Sequence, residues 1–229
     1  MIAALYVETD GCYFGLPGVD PWDIARDARR YAGPWPVVAH PPCQRWGRYW
    51  YGGPMLHKLG KRKQRGADDG CFESALASVR KFGGILEHPE ASSAWAAFGL
   101  IEPPKSGGWV VADWFGGWTC CVEQGHYGHR VRKATWLYAV GVDLPSFKWG
   151  KSASKVRLDD GFHSKAERRR IQRLGDLRSP RLRRSECAAT PIEFRDVLIS
   201  IARSAIKAEG MNDPTDADLE ADWLIEVYG

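Results

Sequence analysis

Nowhere do the 229 residues carry an apolar run close to the roughly 20 needed to span a bilayer as a helix. The opening MIAALYVETDG also lacks the basic n-region and apolar stretch of a secretory signal. The expected setting is therefore the cytoplasm, with no membrane partner. Paired C-x-x-C knuckles are missing: the six cysteines stand at 12, 43, 71, 120, 121 and 187. Without an export signal this pattern argues against a disulfide framework and for free thiols. Repeats and low-complexity tracts are absent, which excludes solenoids and fibres. Strong net charge is absent as well, since 32 Lys+Arg against 28 Asp+Glu leave +4. With 44% hydrophobic and 26% charged residues, the chain belongs with folded globular proteins rather than disordered ones.

What is present is uneven. Residues 151–184 hold twelve Lys/Arg against four Asp/Glu, and beyond Lys207 there are seven Asp/Glu and no Lys/Arg. A basic block followed by an acidic tail suits an anionic partner such as DNA, although a solvated helix face reads the same way. Eleven tryptophans suit stacking on flat ligands, and equally an aromatic core. Length and charge divide the chain into an α/β catalytic core at 1–150, a basic segment at 151–190 for nucleic acid, and C-terminal helices at 191–229.

Strand and helix signals alternate along the core. Residues 3–7 (AALYV), 36–39 (PVVA), 85–87, 120–123 and 135–140 (TWLYAV) read as strands. Asp20 before Pro21 reads as an N-cap opening a helix over 21–32. Phe72, Leu76 and Val79 share one face of a helix over 71–82, stopped by Gly83-Gly84. A short helix is expected over 91–98. Further helices are expected over 164–174, from Pro191 to about Lys207 with Thr190 as cap, and over 216–227. Residues 47–70, aromatic, glycine-rich and basic, read as a long mobile loop. The predicted fold is an α/β, three-layer Rossmann-like sheet flanked by helices, with a reduced cofactor half. In such sheets ligands lie beyond the carboxyl ends of strands, where HPPCQ, EHP and QGHYGHRVRK all fall.

A thiolate held at a strand end beside a cation is a candidate nucleophile, and Cys43, flanked by Pro41, Pro42, Gln44 and Arg45, has that setting. An inert buried cysteine is the plain alternative. The Pro-Pro-Cys-Gln tetrapeptide resembles the catalytic motif of the DNA cytosine-C5 methyltransferases. Glu87 in ILEHPEAS resembles the strand-end glutamate of that family, with His88 where Asn usually stands. The Glu-x-Pro form resembles phage-type relatives, as does the run Tyr127, Gly128, Arg132, Lys133, Thr135. The three motifs come in the family's order and span roughly residues 36–145.

The resemblance implies a mechanism and a site. Cys43 adds to C6 of a flipped pyrimidine, and Glu87 hydrogen-bonds or protonates the ring. Arg130 and Arg132 act beside them, while Pro42, Gln44, Arg45, Gln124 and Lys133 hold the substrate. Trp46, Tyr49, Trp50 and Tyr51 fill the gap or stack on the base. S-adenosylmethionine is the implied cofactor, with Glu8, Asp10, Asp20 and Pro41 as its contacts. The family's Phe-x-Gly-x-Gly turn and its large target-recognition region have no counterpart here. Two other readings stay open. Pro-Pro-Cys also resembles the nucleophile segment of thymidylate synthases, which act on free nucleotides. Alternatively His40, Cys43, Cys120, Cys121, His126 and His129 form a zinc site in a non-enzymatic nucleic-acid-binding module.

Overall fold

A computed structural model of the chain describes residues 1–52, 56, 58–61, 63–154, 186 and 188–205. The helices expected over 164–174 and 216–227, Cys187, and most of the basic segment lie outside the described residues. No helix among the described residues is long and apolar enough to cross a membrane.

Seven strands form one mixed sheet, an α/β arrangement. They are β1 (Ile2–Leu5), β2 (Val19–Trp22), β3 (Val37–Ala39), β4 (Gly84–Pro89), β5 (Val110–Val111), β6 (Trp118–Glu123) and β7 (Ala134–Val140). Against them, among the described residues, lie the α-helices α1 (Cys71–Phe82), α2 (Ser93–Ala97) and α3 (Ile192–Arg203). The spatial order is β2-β1-β3-β4-β7-β6-β5. β2, β1, β3 and β4 run parallel, β7 is antiparallel to β4, and β6 and β5 reverse in turn. β6 therefore points the same way as β4. The carboxyl ends of β1, β3, β4 and β6 share one edge of the sheet.

Strands covered on both faces need apolar side chains throughout, which IAAL and VVA supply. Alternation sorts them into two cores. Ala3, Leu5, Val37, Ala39 and Leu86 pack with Phe72, Leu76 and Val79 of α1. Ile2, Ala4, Val38, Ile85, Leu137 and Ala139 pack with Phe194, Leu198, Ile201 and Ala202 of α3. The spacing of the helix residues at three and four puts them on a single stripe. Gly84 begins β4 at φ 129°, and a Cβ there would meet the Val37 carbonyl oxygen at 2.0 Å, so β3 and β4 close up only on glycine.

The segment over 21–32 corrects the sequence reading. Asp20 and Pro21 lie in β2, the outermost strand, where a missing N–H costs no ladder bond. Asp23 then turns the chain by accepting the Ala25 and Arg26 amides, and only a 3₁₀ turn, Ala28–Arg30, forms. Thr190 makes no side-chain cap on α3, whose flanking residue is Pro191. Ser92 caps α2 by accepting the Ala94 amide.

Candidate active site

The chain leaves β1 outward to β2 and returns to β3 on the other side of β1. Loops leaving β1 and β3 thus diverge, and this switch point, at the carboxyl ends of the strands, is where open α/β sheets place their ligand crevice. Four strands deliver side chains to its α3 side. Register pairs Val38 with Ile85 and Ala39 with Leu86, so the next step sets His40 opposite Glu87. Both continue the alternation of Val38 and Ile85. Gln124 follows β6, and Lys133 and Thr135 flank the start of β7. Gln124 and Lys133 are joined by a backbone hydrogen bond, Gln124 N to Lys133 O.

Glu87 is the hub. His40 Nδ1–H donates to its Oε2 at 3.0 Å, and the Gln124 amide donates to its Oε1 at 3.1 Å. The same Gln124 nitrogen donates to Thr135 Oγ1 at 2.8 Å. Behind His40, Tyr13 Oη lies 2.8 Å from Nε2. The Glu87 side chain keeps 12% exposure, enough to present an edge to the crevice. Burial pushes its carboxyl up, but the His40 hydrogen bond and above all the charge of the Lys133 ammonium overcome burial and hold it down at about 2. Glu87 is thus ionised and bound on both oxygens.

Cys43 sits on the exposed turn after Pro41-Pro42, its carbonyl accepting the Trp46 and Gly47 amides. Surrounding protein mass and the negative Glu87 push its thiol up, and the Lys133 ammonium draws it back. Cys43, Glu87 and Lys133 therefore stand within one another's electrostatic reach. Lys133 is buried, and its ammonium donates to the Ala188 and Ala189 carbonyls at 3.2 and 3.1 Å, in the segment leading into α3. On the opposite face of β4, His88 is buried among Phe72 and Trp95, with Nδ1 on Ser92 Oγ. Burial pulls its imidazole down to about 4, so it stays neutral despite the opposing pull of Glu87.

Several expected residues take other parts. Gln124 is fully buried and holds Glu87 rather than a substrate edge. Arg130 is exposed and pairs with Glu186 at 3.4 Å, and neither it nor Arg132 is among the principal charges on Glu87 or Cys43. Lys133 is the cation beside the acid. Arg132 keeps a buried Nε with no partner among the described residues. Pro42 and Gln44 are exposed around Cys43, and Arg45 is half-buried. Trp46 belongs to the core, bonded to Asp68 and packed on Phe72 and Phe98, so it is not free to stack on a base. Tyr49, Trp50 and Tyr51 are half-buried, and Tyr51 packs edge-on against both of the others. The sequence reading missed Tyr13 and Thr135 as partners in this network. Nothing short of the register and the β1–β2 loop path reveals them.

The residues implied for S-adenosylmethionine do not assemble a cradle. Glu8 and Asp10 are exposed after β1. Asp20 is occupied by Arg26 and by Trp22 Nε1, and Pro41 is buried. The turn after β1 is filled by its own backbone: Gly11 N donates to Glu8 O, and a Cβ on Gly11 would lie 2.7 Å from that oxygen. The zinc set is dispersed too. His40 is taken by Glu87 and Tyr13, His126 approaches the Gly150 carbonyl, and Cys120 and Cys121 lie in opposite cores. No group of three metal-ligating side chains exists among the described residues. No protein-family model matches the chain, and no curated protein is significantly similar to it.

Proposed function

We propose that the chain is a pyrimidine-modifying enzyme of the DNA cytosine-C5 methyltransferase type, with Cys43 as nucleophile and Glu87 as the group that grips the ring. One observation supports this reading: an accessible thiol, an ionised carboxylate and a buried ammonium at one edge of the sheet lie within one another's electrostatic reach. The Cys43 sulfur, once deprotonated, bonds to C6, and the displaced C5–C6 electron pair makes C5 a carbon nucleophile. C5 then takes a one-carbon group from a donor, which keeps the electron pair of the bond that breaks; C5 loses its proton to solvent, and the electrons of that C–H bond restore the C5–C6 double bond as the thiolate leaves. Glu87 accepts from the exocyclic amine, and a proton taken up by its carboxyl passes to N3 as negative charge develops there. Lys133 steadies the thiolate by charge. Arg130, Arg132 and the basic block over 151–184 supply phosphate contacts, which makes DNA binding strongly salt-dependent.

The lack of a cradle after β1 favours a second reading, thiol addition to a free pyrimidine nucleotide with a different one-carbon donor. One experiment addresses both. A duplex containing 5-fluorocytosine, with S-adenosylmethionine present, is expected to form a covalent adduct at Cys43 that Cys43→Ala abolishes. An adduct with dCMP or dUMP instead selects the free-nucleotide reading. Absence of any adduct with duplex, dCMP and dUMP overturns both. Thermal stabilisation by S-adenosylhomocysteine tests the cofactor separately.

A further inference from the structure

Cys43 hangs on a turn, and a reacting group misplaced by about 1 Å loses on the order of a hundredfold in rate. The chain enters that turn on fixed backbone. His40 N donates to Leu5 O at 3.0 Å, and Pro41 and Pro42 each lock φ. The prolines set the approach, and the far side of the turn is held by Trp46. Its amide donates to Cys43 O at 3.0 Å and closes the turn. Its carbonyl accepts twice from Ser93, from the backbone amide at 2.8 Å and from Oγ at 2.9 Å. Its indole Nε1 donates to Asp68 Oδ2 at 2.7 Å, and the same oxygen takes the Phe72 amide in the first turn of α1.

We infer that Trp46 and Ser93 are the positioning residues of the nucleophile: they fasten the Cys43 turn to the starts of α1 and α2, and so set the separation of its thiol from Glu87. The part of Cys43 as nucleophile rests on the pyrimidine reading, whereas the clamp itself is independent of the substrate. Both groups share one frame. Ser93 follows Glu87 by six positions in the chain, and the link between them is braced. Glu90 N donates to Ala134 O at 3.0 Å, Ser92 N donates to Pro89 O at 3.2 Å, and Ser92 Oγ lies 2.7 Å from His88 Nδ1. β4 therefore carries the carboxylate on itself and steadies the thiol through its continuation.

Plain core packing does not account for the arrangement. Packing against Phe72 and Phe98 needs only a large apolar ring at position 46. It needs neither an indole donor on Asp68 nor a Ser93 hydroxyl on the carbonyl that the Ser93 amide already serves. The thiol registers the result. Glu87 from β4 raises it and Lys133 from the β6–β7 link lowers it, and both effects weaken as the turn stands further from the sheet.

The test reads that separation through the thiol, on the full chain. Alkylation of Cys43 by iodoacetamide is followed against pH by peptide mass mapping, in a cycle of variants. With positions 46 and 93 unaltered, Glu87→Gln removes a negative charge and should lower the thiol's proton affinity at least threefold. In Ser93→Ala and in Trp46→Phe the turn is released, and the same Glu87→Gln step should change the affinity less than twofold. Ser93→Thr keeps the hydroxyl and should keep the full step. A step that is absent with both positions unaltered, or equal in all four backgrounds, overturns the inference whatever the substrate. Loss of the step in Ser93→Thr as well as in Ser93→Ala overturns the role of the hydroxyl. If Trp46→Phe does not fold, the two Ser93 variants decide. If Glu87→Gln does not fold, the thiol midpoint alone decides: it should fall toward the ordinary 9.0 in Ser93→Ala and stay raised in Ser93→Thr, and equal midpoints overturn the inference. In adduct formation with the 5-fluorocytosine duplex, Ser93→Ala should lose at least fivefold in rate and Ser93→Thr less than twofold, and equal rates again overturn it. No adduct with the duplex, dCMP or dUMP overturns the pyrimidine reading, and the alkylation cycle still decides the clamp.

Discussion

Replacing Glu87 with glutamine tests the electrostatics of the site without any substrate. The carboxyl is held at about 2 against an ordinary 4.5. At roughly 1.4 kcal/mol per pKa unit, that difference corresponds to about 3 kcal/mol of folding stability. The sign follows from which state binds protons more readily. The unfolded carboxyl protonates near 4.5, the folded one near 2, so the contribution is fully present above about 4.5. It is lost as pH falls toward 2. Glutamine has the same shape, but it leaves His40 and Lys133 without their counter-charge. Urea unfolding followed by tryptophan fluorescence at a series of pH values measures the difference. At neutral pH Glu87→Gln should be about 3 kcal/mol less stable than the wild type, and the gap should close between about pH 4.5 and 2. A gap that stays constant across that range would refute the claim that Glu87 is ionised and stabilised by charge.

Four further outcomes are expected. His88 is buried as the neutral imidazole, held at about 4 against 6.5, so the wild type should lose up to about 3 kcal/mol as pH falls from 6.5 to 4, and His88→Gln should lack that stretch of the unfolding curve. Gln124→Leu leaves Glu87 Oε1 and Thr135 Oγ1 without their donor and should cost about 1–3 kcal/mol in urea unfolding. Among the described cysteines, Cys43 should label first with a maleimide because it alone is exposed, at a rate still climbing above pH 9; peptide mapping checks both. Leu198→Ala opens a cavity between α3 and the sheet and should cost about 2–5 kcal/mol, seen as a lower urea midpoint.

How far the sequence foretold this depends on the element. β1, β3, β4, β6, β7 and α1 were legible because each is a short apolar run or a clear 3.6 stripe closed by Gly or Pro. The span of α1, Cys71–Phe82, matches its prediction from Phe72, Leu76 and Val79. β2 was not legible. Asp20-Pro21 satisfies the rule for a helix start and equally the rule for an edge strand, and only the neighbouring β1 decides between them. The reversal of β7 was hidden for a related reason, since strand direction is a property of pairing rather than of composition. At the site, Cys43 and Glu87 were legible from their strand-end positions. For His40 the residue pattern offers only the alternative zinc set, because a lone histidine shows its ligating chemistry but not its partner. Its bond to Glu87 arises from the β3–β4 register, and its bond to Tyr13 from a loop that the residue pattern describes only as turn-rich. Lys133 was named as a substrate contact, and its carbonyl partners lie more than fifty residues further along the chain.

The close approach at Gly84 reaches further than the strand it begins. Because β3 and β4 are clamped together there, three residues before the acid, the positions of His40 and Glu87 are measured from a fixed origin. Inserting a single amino acid anywhere between that clamp and Glu87 would rotate the carboxylate through the sheet, into the greasy layer beneath α1, while delivering Leu86 or its substitute to the crevice. The candidate site can be altered by exchanging side chains. It cannot be slid along the backbone without dismantling the interior on both sides.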